Sequence, residues 1–305
     1  MTEFIKRTGL LLLSIVIIAN LLAYASLAAL RNGNFYKPSF LVNSITERNF
    51  DYIVIGASTG LTTLNTQVID SLTGKKGLNL SVDDTNLPSQ FLMLQHFLAQ
   101  DKTTKTCVLV PNVMSYTKTT TSLSDNDYRF LPYVNNKHVS DYYEGFSSTP
   151  ATLMAQSSWF PMGGISYYNT ELFYPALVSF LYPDRHNRFD TFGNYTYPMR
   201  QTEVTEIIQK QFVELGFNNP YLQKVKDLCD ANSIKLICYI SPLKEKSIVT
   251  PSSKFEVINH ADILNNTSYF YDDIHVNSKG RFETSVQFAE DLYSELNEVK
   301  AWKIP

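Results

Sequence analysis

Three side chains that together can activate a hydroxyl stand far apart in this chain: Ser58 in the stretch DYIVIGASTG, and Asp272 and His275 in YDDIHVNSKG. A serine hydroxyl is a poor nucleophile near neutral pH, and an imidazole held in one tautomer by a carboxylate supplies the base it lacks. Asp272 and His275 are three apart, which lets a carboxylate and an imidazole lie on one side of a single turn. Asp273 is two away and points elsewhere, so Asp272 is the expected orienting acid. His96, His138, His186 and His260 show no metal-ligand spacing such as H-E-x-x-H and read as surface or packing residues; no metal or cofactor is expected.

These residues need elements to hold them. Ile53, Val54 and Ile55 form the kind of uninterrupted β-branched run found in a strand buried on both faces of a parallel sheet. Gly56 and Gly60 bracket a bend too tight for bulky side chains, which places Ser58 at the open end of that strand. Beyond it, Leu61, Leu64, Val68 and Leu72 fall at helical spacing and predict one helix. Gly77 to Val82 reads as a second apolar segment, Leu87 to Gln100 as a helix, and Thr106 to Val110 as a third strand ending in Pro111-Asn112. Strand and helix therefore alternate, which favours right-handed βαβ units and an α/β fold with a parallel sheet.

The alternation stops near Ser115 and resumes near Gln201. The intervening block is rich in Tyr and Phe, holds Trp159 and Gly163-Gly164, and reads as an insertion at about 115–200: a lid, a partner surface or a small core of its own. Helical patterns follow at Glu203 to Leu215 and Tyr221 to Asn232, and Ile234 to Ile240 is a strong strand. Tyr269 to Tyr271 is a short apolar run, read as a strand end delivering Asp272. Ser278 to Leu296 closes the pattern as a helix with Phe282, Val286, Ala289, Leu292 and Leu296 on one face.

The N-terminus differs in kind. No charge falls between Arg7 and Arg31, and Leu10 to Leu30 is almost wholly apolar, long enough to span a bilayer. Lys6 and Arg7 before it place the N-terminus in the cytoplasm and the remainder outside. A cleaved signal peptide is the rival reading, with Ala23-Tyr24-Ala25 as its cleavage site. The organisation expected is a tail and transmembrane anchor over 1–31, a polar linker over 32–49, and a catalytic domain over 50–305. A net charge of -3 leaves no electrostatic footprint for nucleic acid. Cys107, Cys229 and Cys238, odd in number and without a C-x-x-C, read as small buried hydrophobes.

Gly56 to Gly60 is literally G-x-S-x-G, the elbow of α/β-hydrolases, but that fold has several strands before its serine and a long separation between acid and histidine. The arrangement instead resembles the SGNH (GDSL-like) hydrolases, in which an early serine follows the first strand and a terminal D-x-x-H supplies acid and base. VIGASTG matches the serine block, with Ala57 where Asp is commonest, and DDIHVNSKG matches the last block, so the resemblance covers roughly Phe50 to Leu296. It implies a parallel-sheet, three-layer fold and a triad of Ser58, His275 and Asp272. It also implies an oxyanion hole of the Ser58 N–H, the Asn112 side chain and an N–H near Ser81, where the family has glycine. With one N-terminal anchor and an aromatic insertion, the chain looks most like the extracytoplasmic acyltransferases of alginate and cellulose acetylation and teichoic acid D-alanylation. That likeness implies a polytopic membrane-bound O-acyltransferase as partner, a carbohydrate polymer as acceptor, an acyl-serine intermediate, and Trp159 in acceptor binding. An SGNH esterase with the same residues, or a non-catalytic assembly or glycan-binding subunit, fits the same pattern.

Overall fold

The computed structural model describes residues 1–199, 205–207, 210–251 and 253–296, with side chains as far as 292. In chain order the helices and strands are α1 (Thr2–Asn32), α2 (Lys37–Asn43), β1 (Asn49–Gly56), α3 (Ser58–Thr63), α4 (Thr66–Thr73), β2 (Gly77–Asn79), α5 (Leu87–Leu98) and β3 (Thr103–Val110). They continue with α6 (Lys137–Glu144), α7 (Thr149–Gln156), α8 (Pro161–Tyr168), α9 (Thr170–Leu181), β4 (Gln211–Glu214), α10 (Pro220–Ala231), β5 (Lys235–Ile240), β6 (Lys246–Val249), β7 (Glu256–Asn259) and α11 (Ser278–Leu296). The chain divides into two units, residues 1–46 with 121–187, and residues 47–120 with 188–305.

The second unit is α/β. Its five-stranded sheet has the order β2-β1-β3-β5-β7, and every pairing is parallel. One face carries Tyr52, Val54, Val108, Val110, Ile237, Tyr239 and Ile258, which pack with Ile69 of α4 and with Phe288, Ala289 and Leu292 of α11. On the other face α5 packs on β1 and α10 on β5, and Cys107 lies against Cys229 of α10. Both faces are covered, which is why the central strands are continuous Ile, Val and Leu rather than alternating. The three cysteines are free and buried. β4 and β6 pair in a separate two-stranded parallel sheet.

Several expectations are corrected. The helix read from Leu61 to Leu72 is two short helices. Leu64 leaves helical geometry, and the Asn65 side chain caps α4 by accepting the Gln67 N–H, so the helical phase restarts. Ile69 is buried as a result, and Leu72 is exposed. The strand expected at Tyr269 to Tyr271 is absent. A 3₁₀ turn, Thr267–Tyr269, leads into a bridge between Phe270 and Val276, and the fifth strand is β7 instead. Of the helix expected at Glu203 to Leu215, residues 205–207 are not helical and Gln211–Glu214 is a strand, while 200–204 and 208–209 lie outside the described residues. In α11 the buried face is Arg281, Thr284, Ser285, Phe288, Ala289 and Leu292, with Phe282 exposed; the Leu296 side chain lies outside the described residues.

The first unit is helical among its described elements. α1 is long and apolar enough to cross a membrane, and only its last third is covered, by α8 and α9. The stretch expected to be a polar linker carries α2, with Phe40 and Leu41 buried and the Phe40 ring edge-on to His186. The aromatic block centres on a buried 3₁₀ segment, Asp127–Tyr133. There Tyr143 donates to the Asp127 carbonyl at 2.8 Å, and the Arg129 guanidinium stacks over Tyr36 at 5.3 Å.

Candidate active site

The turn after β1 is set by a close approach. A Cβ on Gly56 would lie 2.1 Å from the Val110 carbonyl oxygen, so only glycine lets β1 end there against β3. The Ala57 N–H donates to that same carbonyl at 3.1 Å, and the Thr59 hydroxyl donates to Pro111 O at 3.3 Å. Ser58 is thereby delivered as the first residue of α3, with its N–H free of any intrahelical acceptor. These bonds also bring the β3 end, and with it Asn112, beside the serine turn.

The opposite component is built locally. Asp272 Oδ1 accepts the backbone N–H groups of Ile274 (3.0 Å) and His275 (2.9 Å), and the Tyr271 N–H donates to His275 O at 2.8 Å. Asn277 then ties this turn to α11, its amide donating to Ser268 O at 2.7 Å while its Oδ1 accepts the N–H groups of Lys279 and Gly280. The turn and the serine helix meet through α11. Arg281 Nη2 donates to Leu64 O at 2.9 Å, and Ser285 Oγ accepts the Asn65 N–H at 2.8 Å. Burial pushes the Arg281 guanidinium down to about 10, with Asp190 opposing the fall.

These supports hold a continuous hydrogen-bonded line. His275 Nδ1 lies 3.0 and 2.8 Å from the two Asp272 carboxylate oxygens, and His275 Nε2 lies 2.8 Å from Ser58 Oγ. With Nδ1–H donating to the carboxylate, Nε2 is left as acceptor for the serine proton. Burial works to raise the Asp272 carboxyl, but hydrogen bonds from the His275 ring and from the Ile274 and His275 N–H groups outweigh it and hold the group below the usual carboxylate range. Asp273 is turned out to solvent, 3.4 Å from Lys244 Nζ.

The expected oxyanion donors fare differently. Asn112 Oδ1 accepts the Met114 N–H at 3.2 Å, which fixes the amide and turns its NH₂ end away from that N–H. Ser81 is fully buried and its N–H donates to Asn79 Oδ1 at 3.0 Å, so this donor is engaged within its own turn. Trp159 belongs to the first unit, where its ring is exposed beside Phe160. Among the described residues no group of three His, Cys, Asp or Glu could hold a metal ion.

One feature of the site has no counterpart in the sequence motifs. Tyr197 stacks on Tyr271, and its ring centroid is 5.3 Å from that of His275. Burial raises the Tyr197 hydroxyl, with Tyr195 and Asp272 adding to the shift. Tyr271 directly precedes Asp272 in sequence, and Tyr197 is the last aromatic residue of the block read as an insertion; their pairing across 74 positions has no local signal.

No protein-family model matches this chain, and no curated protein matches its sequence significantly. The geometry of the site is therefore the ground for a functional reading.

Proposed function

We propose that this protein is an SGNH-type serine acyltransferase, anchored by α1 in a bilayer with Lys6 and Arg7 on the cytoplasmic side. Ser58 takes an acyl group and passes it to a hydroxyl of an extracytoplasmic carbohydrate polymer. The observation that carries this reading is the unbroken line from Ser58 Oγ through His275 to Asp272, at 2.8 Å on each side of the ring.

In the forward half-reaction Ser58 Oγ attacks the acyl carbonyl as His275 Nε2 takes its proton, and Asp272 stabilises the imidazolium that forms. The oxyanion is met by the Ser58 N–H and the Asn112 amide. The donor's leaving group departs with the proton from His275, and the acyl-serine remains. A carbohydrate hydroxyl then attacks in the same geometry, giving its proton to His275, which returns it to Ser58 Oγ as the ester leaves. The half-buried Tyr197 face beside the imidazole supports a sugar as acceptor, because aromatic faces stack on the apolar faces of pyranose rings. A polytopic O-acyltransferase in the same membrane is the proposed acyl donor.

Fluorophosphonate labelling of the detergent-solubilised full chain tests the nucleophile. Wild type is expected to label at Ser58, with labelling lost in Ser58→Ala and strongly slowed in His275→Ala. Undiminished labelling in His275→Ala would overturn the triad. Acyl-enzyme formed with an activated ester should then be consumed faster by an oligosaccharide than by water; equal rates would make the enzyme an esterase.

A further inference from the structure

α1 is long enough to cross a bilayer, but the part of it that is bare is not. Its bare apolar part, residues 8–18, supplies about 16 Å of helix at 1.5 Å per residue, roughly half of a hydrocarbon core of about 30 Å. The rest of the span has to come from the portion beginning at Ala19, and that portion is already wrapped. Asn20 Oδ1 accepts the Met162 N–H at 3.2 Å, which fixes the start of α8 thirteen residues beyond Arg7, or about 20 Å along the axis. Ser179 of α9 sits so close to Gly33 that a Cβ there would lie 2.7 Å from it, and the Asn34 N–H donates to Pro183 O at 2.7 Å. The segment running from Trp159 to Tyr182 is therefore bolted to α1 between mid-bilayer depth and the far interface.

Its composition fits that depth. Between Glu144 and Asp184 the only charged residue is Glu171, whose carboxylate accepts a hydrogen bond from Tyr128. Most of the large side chains that α8 and α9 leave uncovered are apolar or aromatic, among them Tyr167, Phe173, Leu177, Phe180 and Leu181, beside exposed Ser166, Thr170 and Glu171, and Trp159 just before α8 is 72 % exposed. Apolar side chains mixed with Tyr and Trp at the ends are what a surface in the outer acyl region and interface presents.

We propose that the segment from Trp159 to Tyr182 is embedded, together with the last third of α1, in the leaflet remote from Lys6 and Arg7, and that lipid acyl chains cover its exposed aromatic face. This inference rests on the reading of α1 as a spanning helix, and it takes Trp159 away from acceptor binding and gives it to the lipid. Backbone groups at that depth are satisfied because the segment is helical and packed on α1, as a bilayer requires.

Trp159 is one of two tryptophans, so Trp302→Phe leaves it as the sole reporter. The full chain carrying Trp302→Phe is reconstituted in phosphatidylcholine vesicles whose acyl chains are brominated either near the headgroup or near mid-chain. A parallel reporter places Leu13→Trp in a Trp159→Phe, Trp302→Phe background, and circular dichroism melting establishes that both variants are folded. The expected result is loss of most Trp159 emission to the brominated lipids, with little quenching by aqueous iodide, and quenching of the Leu13→Trp probe as well. Leu13→Trp quenched by lipid while Trp159 is quenched by iodide alone would overturn the embedded segment and leave the spanning helix. Neither probe quenched by lipid would overturn both. Trp159 shielded from both quenchers in a protein that migrates as a dimer would assign the face to a second copy of the chain and overturn lipid contact.

Discussion

Tyr197 lies flat against Tyr271, ring centroids 4.2 Å apart and planes 8° from parallel, although the two residues are 74 positions apart in the chain. Tyr271 is held in the same turn as Asp272 and His275, its N–H donating to His275 O at 2.8 Å, so the stacked pair sits beside the imidazole. If Tyr197 forms the acceptor platform, Tyr197→Ala should raise the KM for an oligosaccharide acceptor by about 2- to 10-fold, the range expected for losing one aromatic contact. Acylation of Ser58 by a small activated ester should stay within about two-fold of wild type. Steady-state kinetics with separate donor and acceptor titrations measure both; an equal loss in the two half-reactions would place Tyr197 in support of His275 instead.

Asp272 and Asp273 are neighbours with opposite surroundings. Asp272 takes three hydrogen-bonding groups of its own turn, and Asp273 has an exposed pair with Lys244. Asp272→Asn is expected to lower the rate of Ser58 acylation by about 10²- to 10⁴-fold, since the imidazole loses its tautomer control and its counter-charge. Asp273→Asn should change it by less than about two-fold, because an exposed ion pair contributes little. Stopped-flow acylation with a chromogenic ester separates the two.

His260 is buried between Tyr239, 2.9 Å from Nδ1, and Asp291, 2.6 Å from Nε2. Burial lowers its tendency to take a proton, and Asp291 only partly offsets this. The unfolded chain therefore protonates this residue first as pH falls. Its contribution to stability is complete above the ordinary histidine value of about 6.5 and is lost as pH drops from there toward the lower folded value. Thermal melts of wild type should show a falling midpoint below about pH 6.5, and the His260→Gln variant should lack that part of the slope.

Gly56 and Gly60 face different obstacles. A Cβ at Gly60 would lie 2.6 Å from the Ser81 hydroxyl, whereas one at Gly56 would strike the Val110 backbone. Gly60→Ala should destabilise the protein by about 1–3 kcal/mol, the usual effect of overpacking, and Ser81→Gly in the same chain should recover part of it. Gly56→Ala has no side chain to relieve it and should not be rescued. Denaturant titration of the two single variants and the double variant measures the coupling.

The parts of this site that are local in sequence were legible. Gly56-Ala57-Ser58 announced a tight strand end, and Asp272 and His275 lie within one turn, so their partnership follows from spacing alone. The second half of the sheet was harder. β7 is four residues, Glu-Val-Ile-Asn, with only two β-branched positions, while the Tyr269 to Tyr271 run is more apolar and carries the stronger strand signal. The true buried face of α11 is anchored by Arg281, whose burial depends on the Leu64 carbonyl 217 positions earlier, and no periodicity rule puts an arginine inward. The break between α3 and α4 turned on Asn65 acting as a cap, a polar signal inside an apolar pattern. Helices α6 to α9 carry prolines, glycines and aromatics that hide their period, and the packing of α8 and α9 on α1 is tertiary.

The 217 positions between Ser58 and His275 also order events in time. A chain made from its N-terminus completes the serine turn and all five strands of the sheet before the D-x-x-H turn exists, and closing so long a loop draws on contacts already formed in the sheet and α4. Ser58 Oγ therefore gains its His275 hydrogen-bond partner only when the segment leading into the last helix has been made. Loss of the chain beyond Tyr271, by proteolysis or premature termination, would remove His275 from Ser58 and uncover the sheet face that Phe288, Ala289 and Leu292 bury.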